Sequence, residues 1–130
     1  AECFGIDGIV ISKTGSAQIN DETIKTSSGA IFNIPIYKVD HLMDAIFLVK
    51  EQNFVILGAD EKSKKKLKSV KFNNKTIVIL GSEGKGISSP VLKKCDETFK
   101  IPLQGNIESL NVSVAAGIIM YEISKAKSKE

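Results

Sequence analysis

The chain of 130 residues reads as one α/β domain built on a mostly parallel sheet with helices on both faces. Three observations predict this. The apolar runs Gly8–Ser12, Phe54–Gly58 and Thr76–Leu80 are continuous rather than alternating, as in strands buried on both faces of a parallel sheet. Helix-period stretches fall between them, so strands and helices take turns along the chain. Finally, two apolar runs feed polar turns set 20 residues apart, from Gly81 to Ile101. Parallel strands that end in polar turns on one edge form a ligand crevice.

The elements follow in order. Residues 1–8, Ala-Glu-Cys-Phe-Gly-Ile-Asp-Gly, read as the last turn of a helix, with Phe4 its final core residue and Gly5 a C-cap, running into the first strand. A helix end at residue 1 predicts that the chain starts inside a longer domain, with the first strand and most of the first helix missing. Lys13–Thr26 is polar and unpatterned, a loop with room for a short helix near Asp21–Thr26. Ile31–Tyr37 is a strand region interrupted by Pro35. Val39–Glu51 repeats apolar residues at Leu42, Ile46, Phe47 and Val49, a helix with Asp40 as N-cap. Lys62–Val70 is a basic helix or loop. Ser88–Lys94 is a helix with Pro90 in its first turn. Thr98–Leu103 is a strand, and Ser109–Lys127 a long C-terminal helix.

Composition narrows the function classes. Hydrophobic residues make up 42% and charged residues 25%, enough for a core in one domain. No apolar run has the length of a membrane span, and the N-terminus lacks the order of a signal peptide. Cys3 and Cys95 have no metal-ligand spacing, which predicts no metal site and a reduced, cytoplasmic protein. The net charge of +3 permits a polyanionic partner without demanding one, and the absence of Trp argues against base-stacking platforms.

Each candidate site has a plain structural reading beside the functional one. Gly81–Gly86 spells Gly-x-Glu-Gly-x-Gly, neither the dinucleotide nor the P-loop pattern. Its glycines allow close backbone approach to a ligand, and Glu83 adds a charge that a simple turn does not need. Ser109 is a good N-cap and Asn111 can serve the first turn. Yet Gln104, Asn106, Glu108, Ser109 and Asn111 crowd one turn beyond what capping requires. The last helix, with Val112, Val114, Ala115, Ala116, Gly117, Ile118, Ile119 and Tyr121, is apolar nearly all round. That pattern fits either a central core helix or a homodimer interface. Lys62, Lys64, Lys65, Lys66, Lys68 and Lys71 form a basic run that is either a solvated face or a set of phosphate contacts. His41 lacks partners at ligand spacing and reads as structural.

Two segments carry a family resemblance. Ile-Leu-Gly-Ser-Glu-Gly-Lys-Gly-Ile (79–87) and Ile-Pro-Leu-Gln-Gly-Asn-Ile-Glu-Ser-Leu-Asn-Val-Ser-Val-Ala (101–115) resemble the second and third motifs of the SpoU (TrmH-type) RNA ribose 2′-O-methyltransferases. These belong to the SPOUT superfamily with its α/β trefoil knot. Ala1–Gly8 looks like the tail of the first motif, and Thr26–Ala30 matches another recurrent stretch, so the resemblance spans residues 1–130 as one methyltransferase domain. It implies S-adenosyl-L-methionine as cofactor, in contact with Gly81, Ile101 and Leu110 and neighboured by Leu80, Gly86 and Leu103. It implies Glu83, Ser109 and Asn111 as the polar active-site residues, RNA (rRNA or tRNA) as substrate, and a homodimer through the C-terminal helix. It also implies a knot near the C-terminus, which the general avoidance of knots would not lead one to expect.

Methyl transfer to a ribose hydroxyl is an in-line displacement that needs positioning and removal of a weakly acidic proton. The first motif of the family carries a catalytic Arg that aligns two residues upstream of Ala1, so residues 1–130 alone are expected to be impaired. Two rivals compete with this reading. One is a non-catalytic knotted RNA-binding or assembly module. The other is a flavodoxin-like nucleotide-binding domain, for which Lys13-Thr14-Gly15-Ser16 offers only one glycine.

Overall fold

The computed structural model describes residues 7–12, 35–81, 85–105 and 111–128. They carry β1 (Ile9–Ser12), β2 (Ile36–Val39), α1 (Leu42–Glu51), β3 (Val55–Ala59), β4 (Thr76–Leu80), α2 (Ser89–Lys94), β5 (Glu97–Phe99) and α3 (Val112–Ser128). Every strand pair is parallel. The chain divides into two compact units, residues 1–45 and 46–130.

In the first unit β1 pairs with β2, Ile9 opposite Ile36 and Ser12 opposite Val39. Pro35 has no N–H, but its carbonyl accepts from the Ile9 N–H at 3.0 Å and sets the register. The ladder still holds Val39, so the following helix starts at Leu42, not at Val39 with Asp40 as its cap. The sequence expectations at residues 13–34 lie outside the described residues.

In the second unit the strand order is β4-β3-β5. The pleat divides β3 between two faces. Leu57 points into a core with Leu67, Phe99 and Ile119, with Val78, Ile101 and Ile123 packed against it. On the other face a Cβ built on Gly58 would lie 2.9 Å from Cys95 Sγ and 3.2 Å from Ile87 Cδ1. Thus α3 covers one face and the residues flanking α2 cover the other, as the alternation of elements predicts. Helix α1 ends with Asn53 at φ 67°; the Phe54 N–H donates to the Val49 carbonyl and the Asn53 N–H to that of Lys50. This is a Schellman stop that releases the chain straight into β3.

Several boundaries depart from the sequence reading. β5 stops at Phe99 rather than Leu103, because its partner β3 ends at Ala59. Residues 62–70 do not form a regular helix; only Leu67–Ser69 makes a 3-10 turn, since Leu67 is the one side chain of 62–69 that the core takes in. The last helix starts at Val112 rather than Ser109. Asn111 is its cap: Oδ1 accepts the Ser113 N–H at 2.8 Å and its carbonyl accepts the Ala115 N–H at 2.9 Å. That helix is not buried all round. Ile119 is buried, whereas Val114, Ile118 and Tyr121 are 51%, 38% and 49% exposed.

Candidate active site

The three parallel strands of the second unit end on one edge. Ala59 at the end of β3 lies opposite both Leu80 and Phe99, so the three carboxyl ends form one row. The residues just beyond that row are Gly81, Asp60 and the Lys100–Leu103 segment, the setting in which open α/β sheets bind ligands.

The glycine-rich turn shows why glycine stands at both its ends. A Cβ on Gly81 would collide with the backbone carbon of Gly86 and the nitrogen of Ile87, and would lie 2.6 Å from the Gly86 carbonyl oxygen. The chain therefore leaves β4 and returns onto itself within six residues, backbone against backbone. Gly86 has φ +68°, where side chains are strained, although a Cβ there would meet nothing within 4 Å. One glycine is required by contact and the other by conformation. Leu80 and Leu103 each leave more than a third of their surface exposed at this edge, while Ile101 packs partly against the core.

Of the residues singled out from sequence, Gly81 and Gly86 lie backbone against backbone, Leu80 is the last residue of β4, and Ile101 and Leu103 follow β5 beyond the same strand ends. Asn111 is described at the head of α3 with its Oδ1 already occupied by the Ser113 N–H. Glu83 lies in 82–84, and Ser109 and Leu110 in 106–110, outside the described residues.

Two features escaped the sequence reading. Asp60 stands at the end of the central strand, its N–H bonded to the Phe99 carbonyl at 2.8 Å and its Oδ1 accepting the Lys62 N–H at 3.1 Å. Asp96 ties β5 to β3: its Oδ2 accepts the N–H of Ile56 at 2.8 Å, and its own N–H donates to the Ile56 carbonyl at 2.7 Å. Their long-range partners, Phe99 for Asp60 and Ile56 for Asp96, are about 40 residues away, so neither cross-strand contact shows in a local pattern. Beside Asp96, burial in the first place and the neighbouring Asp96 carboxylate in the second push the Cys95 thiol above its ordinary value of 9.0.

The SpoU rRNA Methylase family matches residues 1–121. The chain belongs to that family. An uncharacterized tRNA/rRNA methyltransferase of Archaeoglobus fulgidus is 41% identical over 127 residues, covering 98% of this chain and 56% of the relative. A Bacillus subtilis relative assigned to the TrmH family is 35% identical over 128 residues, covering 98% and 51%. The chain therefore spans about half the length of the curated relatives it matches. Among solved structures, a TrmH/SpoU tRNA modifying enzyme of A. aeolicus aligns with TM-score 0.77 at 26% identity, covering 93% of this chain and 62% of that one. The SpoU methyltransferase AviRb of Streptomyces viridochromogenes, solved in complex with the cofactor AdoMet, aligns with TM-score 0.87 over 97% of this chain and 49% of that one. At 24% identity this second likeness speaks to the fold. The α/β architecture with parallel sheets is thus that of the SpoU methyltransferases.

Proposed function

We propose that the protein is a cytoplasmic RNA ribose 2′-O-methyltransferase that uses S-adenosyl-L-methionine, with rRNA or tRNA as substrate. The observation that carries this reading is the collapsed turn Gly81–Ile87, placed at the carboxyl edge of a SpoU-type sheet. The described residues fit such a cofactor. Leu80 and Leu103 offer exposed apolar side chains to an adenine ring, and Gly81 and Gly86 present main-chain groups without side chains of their own. Gly81, Ile101 and Leu110 contact it, with Leu80, Gly86 and Leu103 around them. When bound, it supplies an electrophilic methyl group.

The protein's own work is then positioning and proton removal. Glu83, Ser109 and Asn111 form the polar set that receives the ribose hydroxyl. With its Oδ1 committed to the Ser113 N–H, Asn111 has its carboxamide NH₂ left to donate. A 2′-hydroxyl acceptor makes RNA, not DNA, the substrate. The assembly is a homodimer through α3: Val114, Ile118 and Tyr121 stand at i, i+4 and i+7 as one exposed apolar stripe, and the space beside Gly117 is open.

The test is binding of the cofactor by calorimetry, followed by transfer of labelled methyl to RNA and alkaline hydrolysis. Label in alkali-resistant dinucleotides is expected, since a 2′-O-methyl group blocks strand cleavage there. Label released in mononucleotides would refute ribose methylation, and no cofactor binding would sink the whole reading.

A further inference from the structure

The basic run between β3 and β4 is more than a solvated loop. Residues 60–71 hold six lysines against two carboxylates, a net of four positive charges where the whole chain has +3. All the excess charge is therefore in this one segment. Its backbone is pinned. Ser63 Oγ donates to the Thr98 carbonyl at 3.0 Å and accepts the Lys65 N–H at 3.2 Å. The Lys100 N–H donates to the Lys65 carbonyl at 2.8 Å, and the Leu67 N–H to that of Lys100 at 2.9 Å. Lys66 thereby pairs in parallel with Lys100, and buried Leu67 anchors the segment in the core.

The segment extends the β4-β3-β5 sheet by one rung beyond β5, at the level of residue 100 and next to Ile101. Lys65 is paired with Glu97 at 3.0 Å. Lys62, Lys64, Lys66 and Lys68 are exposed and have no ion pair among the described residues. Four cations are thus held on a fixed edge, on the same end of the sheet as the candidate active site.

We infer that this edge is a phosphate track: Lys62, Lys64, Lys66 and Lys68 bind the backbone of the RNA whose ribose enters the site at Leu80–Leu103. The inference rests on the methyltransferase reading for its partner. Charge complementarity and the pinned geometry select the surface. Such contacts carry no sequence information, so they position the RNA and add affinity.

The test uses the full chain and a short fluorescently labelled single-stranded RNA, with the dissociation constant followed against salt. Each lysine–phosphate contact contributes about 0.7 to the slope of log affinity against log salt on single strands. Converting all four lysines to Gln should lower that slope by about 2.8. Raising salt from about 50 to 200 mM would then weaken the parent about fifty-fold more than the variant. Binding of S-adenosylmethionine by the variant should be unchanged. Lys75→Gln, at the opposite end of β4, should leave the slope as it was. An unchanged slope in the fourfold variant, with RNA still bound and methylated, would overturn the track and leave the methyltransferase reading standing. Failure of the parent to bind either cofactor or RNA would overturn both.

Discussion

Replacing Gly81 by Ala tests the candidate site at its tightest point. The added carbon would sit 2.6 Å from the Gly86 carbonyl oxygen and closer still to two further backbone atoms. Carbon atoms normally keep about 3.5–4.0 Å apart, so the two arms of the turn must separate by roughly 1 Å. The obstructing atoms are main chain, so no side-chain rotation relieves the overlap. Overpacking of this kind costs about 1–3 kcal/mol, or roughly 3–15 °C in Tm for a domain of this size. A displacement of about 1 Å at a reacting site costs on the order of a hundredfold in rate. Gly86→Ala is the internal control: its Cβ meets nothing, and the cost is the left-handed backbone alone, about 1–2 kcal/mol. Thermal unfolding, cofactor calorimetry and methyl transfer on both variants give the comparison. Gly81→Ala should lose cofactor affinity and turnover by more than its loss of stability explains. Parent-like binding by Gly81→Ala, or a deeper binding loss in Gly86→Ala, would refute the reasoning.

Three other outcomes are expected. Asp96→Ala leaves the fully buried Ile56 N–H without its carboxylate and should lower stability by about 1–3 kcal/mol in urea titrations, with Asp96→Asn recovering part of it. The raised thiol of Cys95 binds its proton more tightly in the folded chain than in the unfolded one. Its contribution to stability is therefore present below 9.0 and is lost as pH climbs through the raised folded value. Alkylation of Cys95, followed by peptide mass mapping, should accordingly be slower in the folded chain than in urea at pH 8, and equal rates would refute this. Gly117→Leu adds bulk in open space on α3, so the single chain should fold normally while sedimentation shifts from dimer toward monomer; an unchanged sedimentation coefficient would remove α3 from the interface.

Local chemistry alone determined much of this protein. The run Thr76–Leu80 is β-branched from Thr76 to Ile79 and apolar from Ile77 to Leu80, and it is a strand with those same bounds. Pro90 marks the first turn of α2, and the helix starts one residue before it. The words of the two turns at 79–87 and 101–115 were enough to point to the family, because glycine spacing is a local demand of the backbone. Tertiary structure decided what depends on distant partners. β5 ends where its neighbour β3 ends, short of Pro102, whose missing N–H is the local signal against a strand running to Leu103. Asp96 becomes structural only when folding brings it to Ile56, and Gly58 becomes crowded only when the Cys95 and Ile87 side chains close over it. Asn111 rather than Ser109 caps α3 because the helix starts at Val112. The composition of α3 looks uniform along the chain, yet packing of Ile119 against Leu57 and Phe99 selects one face for the core and leaves Val114, Ile118 and Tyr121 in the open. The lysines of 62–68 read from sequence as either a solvated face or phosphate contacts, and only the bridge between Lys66 and Lys100 places them at the edge of the sheet.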